Sequence, residues 1–207
     1  MDARMKWEAL DKRYKEKLLD RHRYVNVDYE WWDFTHENFK EQMKEIGVHV
    51  EKIYFSGFYS QGDGACFDGC VADWPKFLEA VGKPGLLEHA AEHDLRLSWA
   101  SEGRYSHSRS VSFDDSGLWI ENPYDEEDDP LRYTAWEALN PGMGGPVLAH
   151  VDDFKEFLRD KMDDLYKELE SEYDDLTSDE TVIEYLVEHQ EDEIDEMFDE
   201  QQEEALA

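Results

Sequence analysis

The sequence predicts an α+β protein, in which a small antiparallel sheet of hairpins packs with helices and is followed by acidic C-terminal helices. Three observations predict this class. Short alternating stretches of β-branched and aromatic residues are separated by glycine-containing turns. Segments with apolar residues every three or four positions lie between these stretches and after them. Acidic residues are concentrated in the last quarter of the chain.

The 207 residues are enough for one domain with a helical appendage. We predict a core domain over residues 1–145, which includes an N-terminal helix, and an acidic helical segment over residues 146–207. The loop "NPGMGGP" supplies the boundary because its glycines and prolines interrupt regular structure. The end of the acidic segment is polar on nearly all sides, so we expect a frayed helix or a disordered tail.

The N-terminal part alternates between helical and extended patterns. Residues 5–22 carry a thin apolar stripe and are predicted to form one helix. The aromatic stretch "YVNVDYEWWDF" predicts a strand or extended segment that ends at Asp33. The next segment, "THENFKEQMKEIG", predicts a helix with Thr35 as its N-cap and Gly47 at its end.

Two hairpins follow. "VHVEKIYFSGFYSQ" predicts a strand in which Gly57 marks a bulge or a close backbone approach. "QGDGA" predicts a turn, and "CFDGCVA" predicts the returning strand. "DWPKFLEAVG" predicts a short helix capped by Asp73. "LLEHAAEHDLRLSWAS" predicts a helix that passes into a strand. In the second hairpin, "RYSHSRSVSFDDSGLWIEN", we expect Tyr105 and His107 to be neighbours on one face of a strand.

The C-terminal part has helical periodicity. Apolar residues recur every three or four positions from Val151 to Leu169, while the opposite face is almost wholly Asp and Glu. A second helix is predicted at "LTSDETVIEYLVEH", where Thr177 and Glu180 have the spacing of a capping box.

The charge is extreme and uneven. There are 53 acidic residues against 21 Lys and Arg, which gives a net charge of −32. Residues 1–23 contain eight Lys or Arg and five acids, whereas the chain from Asp152 onward contains 24 acids and four bases. Direct binding of nucleic acid is excluded because phosphates need basic partners, but a protein with a basic groove would attract this chain.

The sequence lacks a membrane-spanning pattern. No run approaches eighteen apolar residues, and the first residues lack the apolar core of a signal peptide. We therefore predict a protein of the bacterial host cytoplasm, with no membrane partner. The oligomeric state does not follow from the sequence.

The stretch "YFSGFYSQGDGACFDG" resembles an active site but is better explained as a hairpin. A thiolate of Cys66 with His107 as base is the enzymatic alternative, but the negative field would raise the pKa of the thiol. The familiar nucleotide-binding and hydrolase motifs do not occur in the chain. We predict no catalytic residue and a secondary surface formed by Tyr59, Gln61, Asp63, Tyr105 and His107.

Metal binding has weak support. Cys66 and Cys70 would need His89, His93 or His107 to complete a zinc site, and nothing in the pattern places these groups together. The acidic loop over residues 125–129 lacks the ligand spacing of a calcium loop, so we expect it to be solvated. We predict no metal and no cofactor.

Three segments carry a resemblance to a known family: "FSGFYSQGDGACFDG", "GRYSHS" and "LYKELESEYDDLTSDETV". Together they resemble an uncharacterised family from bacteriophages and mobile elements that has an "FSGFxSQGDGA" block, over roughly residues 24–187. The resemblance implies a phage-related setting and supplies no catalytic residues.

Two functions of different classes follow. The first is an anti-defence protein that mimics nucleic acid and occupies the basic groove of a host restriction or CRISPR-type complex, without catalysis. The carboxylates predicted to replace phosphates are Asp152, Asp153, Glu156, Asp160, Asp163, Asp164, Glu168, Glu170, Glu172, Asp174 and Asp175.

The alternative function is a regulatory or antitoxin-like binding module. Exposed aromatics of the α+β core, such as Trp31, Trp32, Tyr59 and Trp119, would then anchor a protein partner. The basic N-terminal helix, at about +3, is expected to fold onto the acidic helices or to contact a partner.

Overall fold

A computed structural model describes residues 2–92, 94–118, 127–132 and 145–206. The predicted α+β class is confirmed, since a four-stranded antiparallel sheet is combined with helices before and after it. The helices are α1 Ala3–Ala9, α2 Lys12–His22, α3 Asp33–Glu45, α4 Trp74–Ala80, α5 Leu87–Glu92, α6 Gly145–Leu148, α7 Val151–Leu176, α8 Asp179–His189 and α9 Glu191–Leu206. The strands are β1 Val48–Phe55, β2 Ala65–Val71, β3 Ser98–Ser101 and β4 Val111–Asp114.

The sheet has the strand order β1-β2-β3-β4, so β1 and β4 form its edges. Strand β1 pairs with β2 from Val48 opposite Val71 to Phe55 opposite Ala65. The register shifts between Val50 and Lys52, which places the bulge there. The bulge predicted at Gly57 is therefore wrong, because Gly57 lies beyond the end of β1.

The hairpin predicted around "QGDGA" is confirmed, with residues 56–64 linking β1 to β2. The Asp63 carboxylate accepts a hydrogen bond from the Ser60 backbone N–H at 2.7 Å, which closes the turn. Gly62 has a φ of 96°, and Tyr59, a non-glycine residue, has a φ of 74°. Such values favour glycine. Tyr59 is 70% exposed in this loop.

The second hairpin differs from the prediction. β4 returns along β3, from Ser101 opposite Val111 to Ser98 opposite Asp114, and residues 102–110 connect them. Tyr105 and His107 lie in this connection rather than on one face of a strand, so that prediction is wrong. Of the return strand predicted at Leu118 and Ile120, Leu118 lies in a 3-10 turn, Ser116–Leu118, and Ile120 lies outside the described residues.

The chain forms two compact units, and the division differs from the predicted boundary between residues 145 and 146. Unit 1 combines Met1–Phe34 with Leu169–Ala207, and unit 2 is Thr35–Glu168. In unit 2 the core joins the inner face of the sheet to the helices. The Phe39 and Phe67 ring centroids are 5.4 Å apart, and those of Phe77 and Phe154 are 5.5 Å apart. Most of the glycine loop "NPGMGGP", residues 140–144, lies outside the described residues.

Unit 1 departs most from the sequence predictions. Residues 5–22 form two helices instead of one, because Leu10 and Asp11 have extended backbone angles that end α1 and begin α2. The aromatic stretch predicted as a strand or extended segment contains a 3-10 turn at Val25–Val27. The segment predicted to be a frayed helix or a disordered tail is helical over Glu191–Leu206.

One apolar core explains why these helices form. Residues from α1, α2, α8 and α9 are buried together, and polar side chains cover the outside. The buried members are Ala3, Trp7, Leu10, Tyr14, Leu18, Leu19, Val182, Leu186, Ile194 and Met197. The sequence of α9 looks polar on all sides because only Ile194 and Met197 face this core fully.

Two predicted caps are displaced. Ser178, not Thr177, caps α8, and its hydroxyl accepts a hydrogen bond from the Thr181 backbone N–H at 3.2 Å. Thr35 lies inside α3, which begins at Asp33. The cap at Asp73 is confirmed, because its carboxylate accepts from the Lys76 backbone N–H at 3.2 Å.

Candidate interaction surface

Basic residues of α1 and α2, together with Arg23 directly after α2, pair with carboxylates of α8 and α9 within unit 1. The structure thus has the first of the two arrangements expected for the basic N-terminal segment, which folds onto the acidic helices. The pairs are Lys6 with Asp195 at 2.6 Å, Arg13 with Glu204 at 2.5 Å, Lys17 with Glu200 at 3.7 Å, Arg21 with Glu193 at 2.7 Å and Arg23 with Asp179 at 2.5 Å.

These five pairs leave a large excess of negative charge. Residues 169–207 contain 17 acids and no Lys or Arg. We call eight exposed carboxylates of α8 and α9 the acidic surface, because none of them lies within 4 Å of a described Lys or Arg nitrogen. They are Glu180, Glu184, Glu188, Glu191, Asp192, Glu196, Asp199 and Glu203.

All eleven carboxylates that were predicted to replace phosphates lie on α7. Seven of them, from Asp152 to Glu168, belong to unit 2, and Glu170, Glu172, Asp174 and Asp175 belong to unit 1. At about 100° per residue, Asp152, Glu156, Asp160 and Asp163 fall opposite the buried face of the helix, and all four are exposed. These four carboxylates form an acidic face on α7. Four other members of the predicted set are half-buried: Asp164, Glu168, Glu170 and Glu172.

Several carboxylates of that face are already paired. Asp153 lies 2.8 Å from Lys83, and this hydrogen bond lowers the pKa of the Asp153 carboxyl. Asp164 lies 3.2 Å from both Lys161 and Lys167. Glu156 lies 3.3 Å from Arg109.

Basic residues also reduce the net charge of this face. Residues 152–168 hold seven acids and four Lys or Arg, a net charge of −3. They span about 24 Å of helix axis, over which duplex DNA carries about 14 phosphates. The negative charge per length of α7 is therefore well below that of DNA. The acidic surface differs, because residues 169–207 contain no Lys or Arg that would reduce its negative charge.

A second feature of unit 1 is the aromatic segment, which we define as Tyr24–Phe34. Tyr24, Tyr29 and Phe34 are exposed by 61%, 62% and 77%. The Trp31 ring packs on Trp32 and on Tyr173, with centroid distances of 5.7 and 5.8 Å. Trp31 and Trp32, the anchors that the sequence predicts, are less exposed than Tyr24, Tyr29 and Phe34 beside them.

The predicted secondary surface lies in two connections of unit 2. Tyr59, Gln61 and Asp63 are in the loop between β1 and β2, and Tyr105 and His107 are in the connection from β3 to β4. The loops touch at Gly64, where an added Cβ would lie 2.8 Å from the Ser106 carbonyl oxygen. The His107 ring is held locally, because its Nδ1 accepts from the Arg109 backbone N–H at 3.0 Å.

The cysteines lack the surroundings of a nucleophile. Cys66 is fully buried, and burial raises the pKa of its thiol. Burial and the nearby Glu51 carboxylate raise the pKa of Cys70. Within the described part of the chain, no group of three His, Cys, Asp or Glu side chains could hold a metal ion. His93 and residues 125–126 of the acidic loop lie outside that part, as does the His89 side chain.

We expect iodoacetamide at pH 8 to modify Cys70 at least about tenfold faster than Cys66 in the folded protein, because only Cys70 is partly exposed. Mass spectrometry of tryptic peptides gives both rates, and urea should make them equal. Fast modification of Cys66 in the folded state would instead support the enzymatic alternative, and Cys70→Ser is the control that isolates Cys66.

Glu193 makes a pH-dependent contribution to the stability of the folded state. The His22 ring, whose Nε2 lies 3.1 Å away, and the Arg21 guanidinium lower the pKa of the Glu193 carboxyl. The folded state then binds fewer protons than the unfolded state, so this stabilisation is present above the unfolded pKa of about 4.3. It is lost as pH falls through the lower folded value.

We therefore expect Glu193→Gln to destabilise unit 1 by about 1 kcal/mol at pH 7 and by much less at pH 3. Urea unfolding at both pH values measures the difference. Glu196→Gln removes the same charge from an exposed position of α9 and should cost no stability. Equal losses for Glu193→Gln at the two pH values would contradict the assignment.

The described helices include none with the length and apolar character needed to cross a bilayer. The fold and the surface together define an acidic α+β protein with an excess of carboxylates on helical faces. A family model described as a domain of unknown function, DUF8835, matches residues 31–179, and the chain belongs to this family. No curated protein matches the chain, and no solved structure does.

Proposed function

We propose that this chain is a phage-type anti-defence protein that acts as a nucleic-acid mimic. Its acidic surface would occupy the basic nucleic-acid-binding groove of a host restriction or CRISPR-type complex and block it by competition, without a catalytic step. The observation that carries the proposal is the stretch 169–207, which has 17 acids and no Lys or Arg.

The spacing of carboxylates on α9 suits this role. Glu191, Asp192, Glu196, Asp199 and Glu203 are exposed. At about 100° per residue, the last four share one face and span about 16 Å of helix axis, while Glu191 lies to one side of them. One strand of DNA has a phosphate every 3.4 Å or so, so a groove that binds phosphates along a strand would meet a similar row of charges.

The internal ion pairs support the proposal. The α1 and α2 bases bind the inward-facing carboxylates of α9, such as Asp195 and Glu193, which are part-buried. The eight carboxylates of the acidic surface lie more than 4 Å from every Lys and Arg nitrogen of the described residues. A partner with Lys and Arg in a groove would form ion pairs with these carboxylates and would also reduce the electrostatic repulsion within unit 1.

The test is a pull-down from bacterial lysate with the tagged full chain, eluted by a salt gradient and analysed by mass spectrometry. We expect recovery of a nucleic-acid-binding defence complex that is released as salt rises and is displaced by nucleic acid. Replacing the five α9 carboxylates with Gln or Asn should abolish recovery.

A matched set on α7 separates the two acidic faces. Asp152→Asn, Asp160→Asn and Asp163→Asn remove three exposed charges from α7 and leave α9 intact. We expect this variant to keep most of the binding, because α7 has interleaved Lys and Arg. If neither variant changes the recovered proteins, mimicry is wrong and the acidity serves only solubility.

The second candidate is the regulatory or antitoxin-like binding module. The observation that favours it is the exposure of Tyr59 and Tyr105, at 70% and 53%, on the adjoining loops of unit 2. Such a partner would resist salt and nucleic acid, and Tyr59→Ser with Tyr105→Ser would remove it. Trp119, the fourth predicted anchor, lies outside the described residues.

A further inference from the structure

The aromatic segment alternates rings with carboxylates. Exposed Asp28, Glu30 and Asp33 lie between or beside the exposed rings of Tyr29 and Phe34. Large exposed rings are costly to leave in water and are uncommon in clusters on a free surface. Their mixture with carboxylates makes an apolar protein face or an anionic membrane an unsuitable partner.

The segment is held in place rather than left free. Arg23, directly before the segment, donates to the Thr177 carbonyl oxygen at 3.1 Å, and the Asn26 side chain donates to the Leu176 carbonyl oxygen at 3.4 Å. Within the segment, the Trp31 backbone N–H donates to the Tyr29 carbonyl oxygen at 2.8 Å. A segment fixed in this way loses little conformational entropy when it binds.

Charge narrows the choice of partner. The segment contains three acids and no Lys or Arg. Asp174 and Asp175, which are also exposed in unit 1, add to the negative charge of that unit. A complementary surface must therefore provide both cations for the carboxylates and apolar slots for the rings.

Grooves for single-stranded nucleic acid have both properties. They combine Lys and Arg along the backbone path with aromatic side chains on which bases stack. In a duplex the bases are already stacked inside the helix. A protein groove that binds a duplex therefore contacts mainly phosphates and base edges. Exposed rings between carboxylates therefore fit a single-strand groove better than a duplex groove.

We propose that the aromatic segment binds a single-strand nucleic-acid groove of the partner, with Tyr29 and Phe34 in the positions of bases and Asp28 and Glu30 in the positions of phosphates. This inference rests on the proposed function and assigns its partner to the single-strand-binding class. It places the contact in unit 1.

The test uses defined probes. A fluorescent (dT)20 bound to a purified OB-fold single-strand-binding protein, and a fluorescent 20-base-pair duplex bound to a helix-turn-helix repressor, are titrated with the full chain at low salt. Fluorescence anisotropy reports displacement. We expect the chain to displace (dT)20 and to leave the duplex bound.

The variants locate the contact. Tyr29→Ser with Phe34→Ser should weaken the displacement of (dT)20 by about tenfold or more, since the loss of one stacking contact weakens affinity by about tenfold. Asp28→Asn with Glu30→Gln should weaken it and reduce its dependence on salt. Leu131→Ser removes a large exposed apolar side chain from unit 2, so it is the control and should have no effect.

Each other outcome is informative. Displacement of the duplex but not of (dT)20 would overturn this inference while leaving mimicry intact. Displacement of (dT)20 that is unchanged in the Tyr29 and Phe34 variant would overturn the role of the segment. Displacement of neither probe would overturn the inference, and the pull-down described above would then decide separately whether mimicry of any kind holds.

Discussion

Replacing Ile194 by alanine is expected to destabilise unit 1 by about 3 kcal/mol, because the fully buried side chain would leave a cavity between α9 and its neighbours. Ile194 is 0% exposed and belongs to the core that includes Trp7 and Leu186. Hydrogen exchange measured on peptides from residues 3–22 and 182–206 reports the loss as an increase of about 100-fold in the opening equilibrium.

The control lies in the same helix. Leu206 is 89% exposed near the end of α9, so Leu206→Ala removes an apolar side chain of similar size without leaving a cavity. We expect it to change stability by less than about 0.5 kcal/mol. If Ile194→Ala had an equally small effect, α9 would not be packed on unit 1 and the tail would be frayed after all.

Sodium chloride is expected to stabilise the protein, raising Tm by about 5–10 °C between 0.02 and 0.5 M. Two effects oppose each other. Salt screens the repulsion produced by a net charge of −32. It also weakens the exposed ion pairs, each of which contributes only about 0.2–1 kcal/mol. The excess of acids is far larger than the number of pairs, so screening of repulsion should dominate.

Variants of α9 test the origin of this effect. Neutralising Glu191, Asp192, Glu196 and Glu203 with Gln or Asn should raise Tm at low salt and flatten its dependence on salt. The matched variant Arg13→Gln with Lys17→Gln removes two bases that pair with Glu204 and Glu200, and should lower Tm at low salt. A Tm that falls as salt rises would show instead that the ion pairs dominate.

Sequence reasoning located most of unit 2 because its signals are local. The turn at Gly62, the cap at Asp73 and the alternating strands β1 and β2 follow from backbone and capping preferences of a few residues. The pairing of β4 with β3 was not predicted, because the sequence does not show which strand β4 pairs with. β4 pairs back with β3, and the link over residues 102–110 has no periodicity that reveals this.

For the candidate site, the sequence shows the excess of negative charge, and its helical periodicity points to α7 as the acidic face. The carboxylates of α7 were selected because their pattern was clear, yet their partners, such as Lys83 with Asp153 and Arg109 with Glu156, lie far away in the chain. The carboxylates of α9 are not among the predicted site residues, because a nearly uniform acidic sequence does not show which side of the helix faces a core.

The sequence by itself determined the α+β class, the net charge of −32 and the concentration of acids near the C-terminal end. These properties depend only on composition and on patterns a few residues long. The tertiary structure decided that residues 1–34 and 169–207 share one unit, that α9 is folded and which carboxylates are paired. Such features depend on contacts between residues more than 150 positions apart, as between Arg21 and Glu193, and no local pattern encodes them.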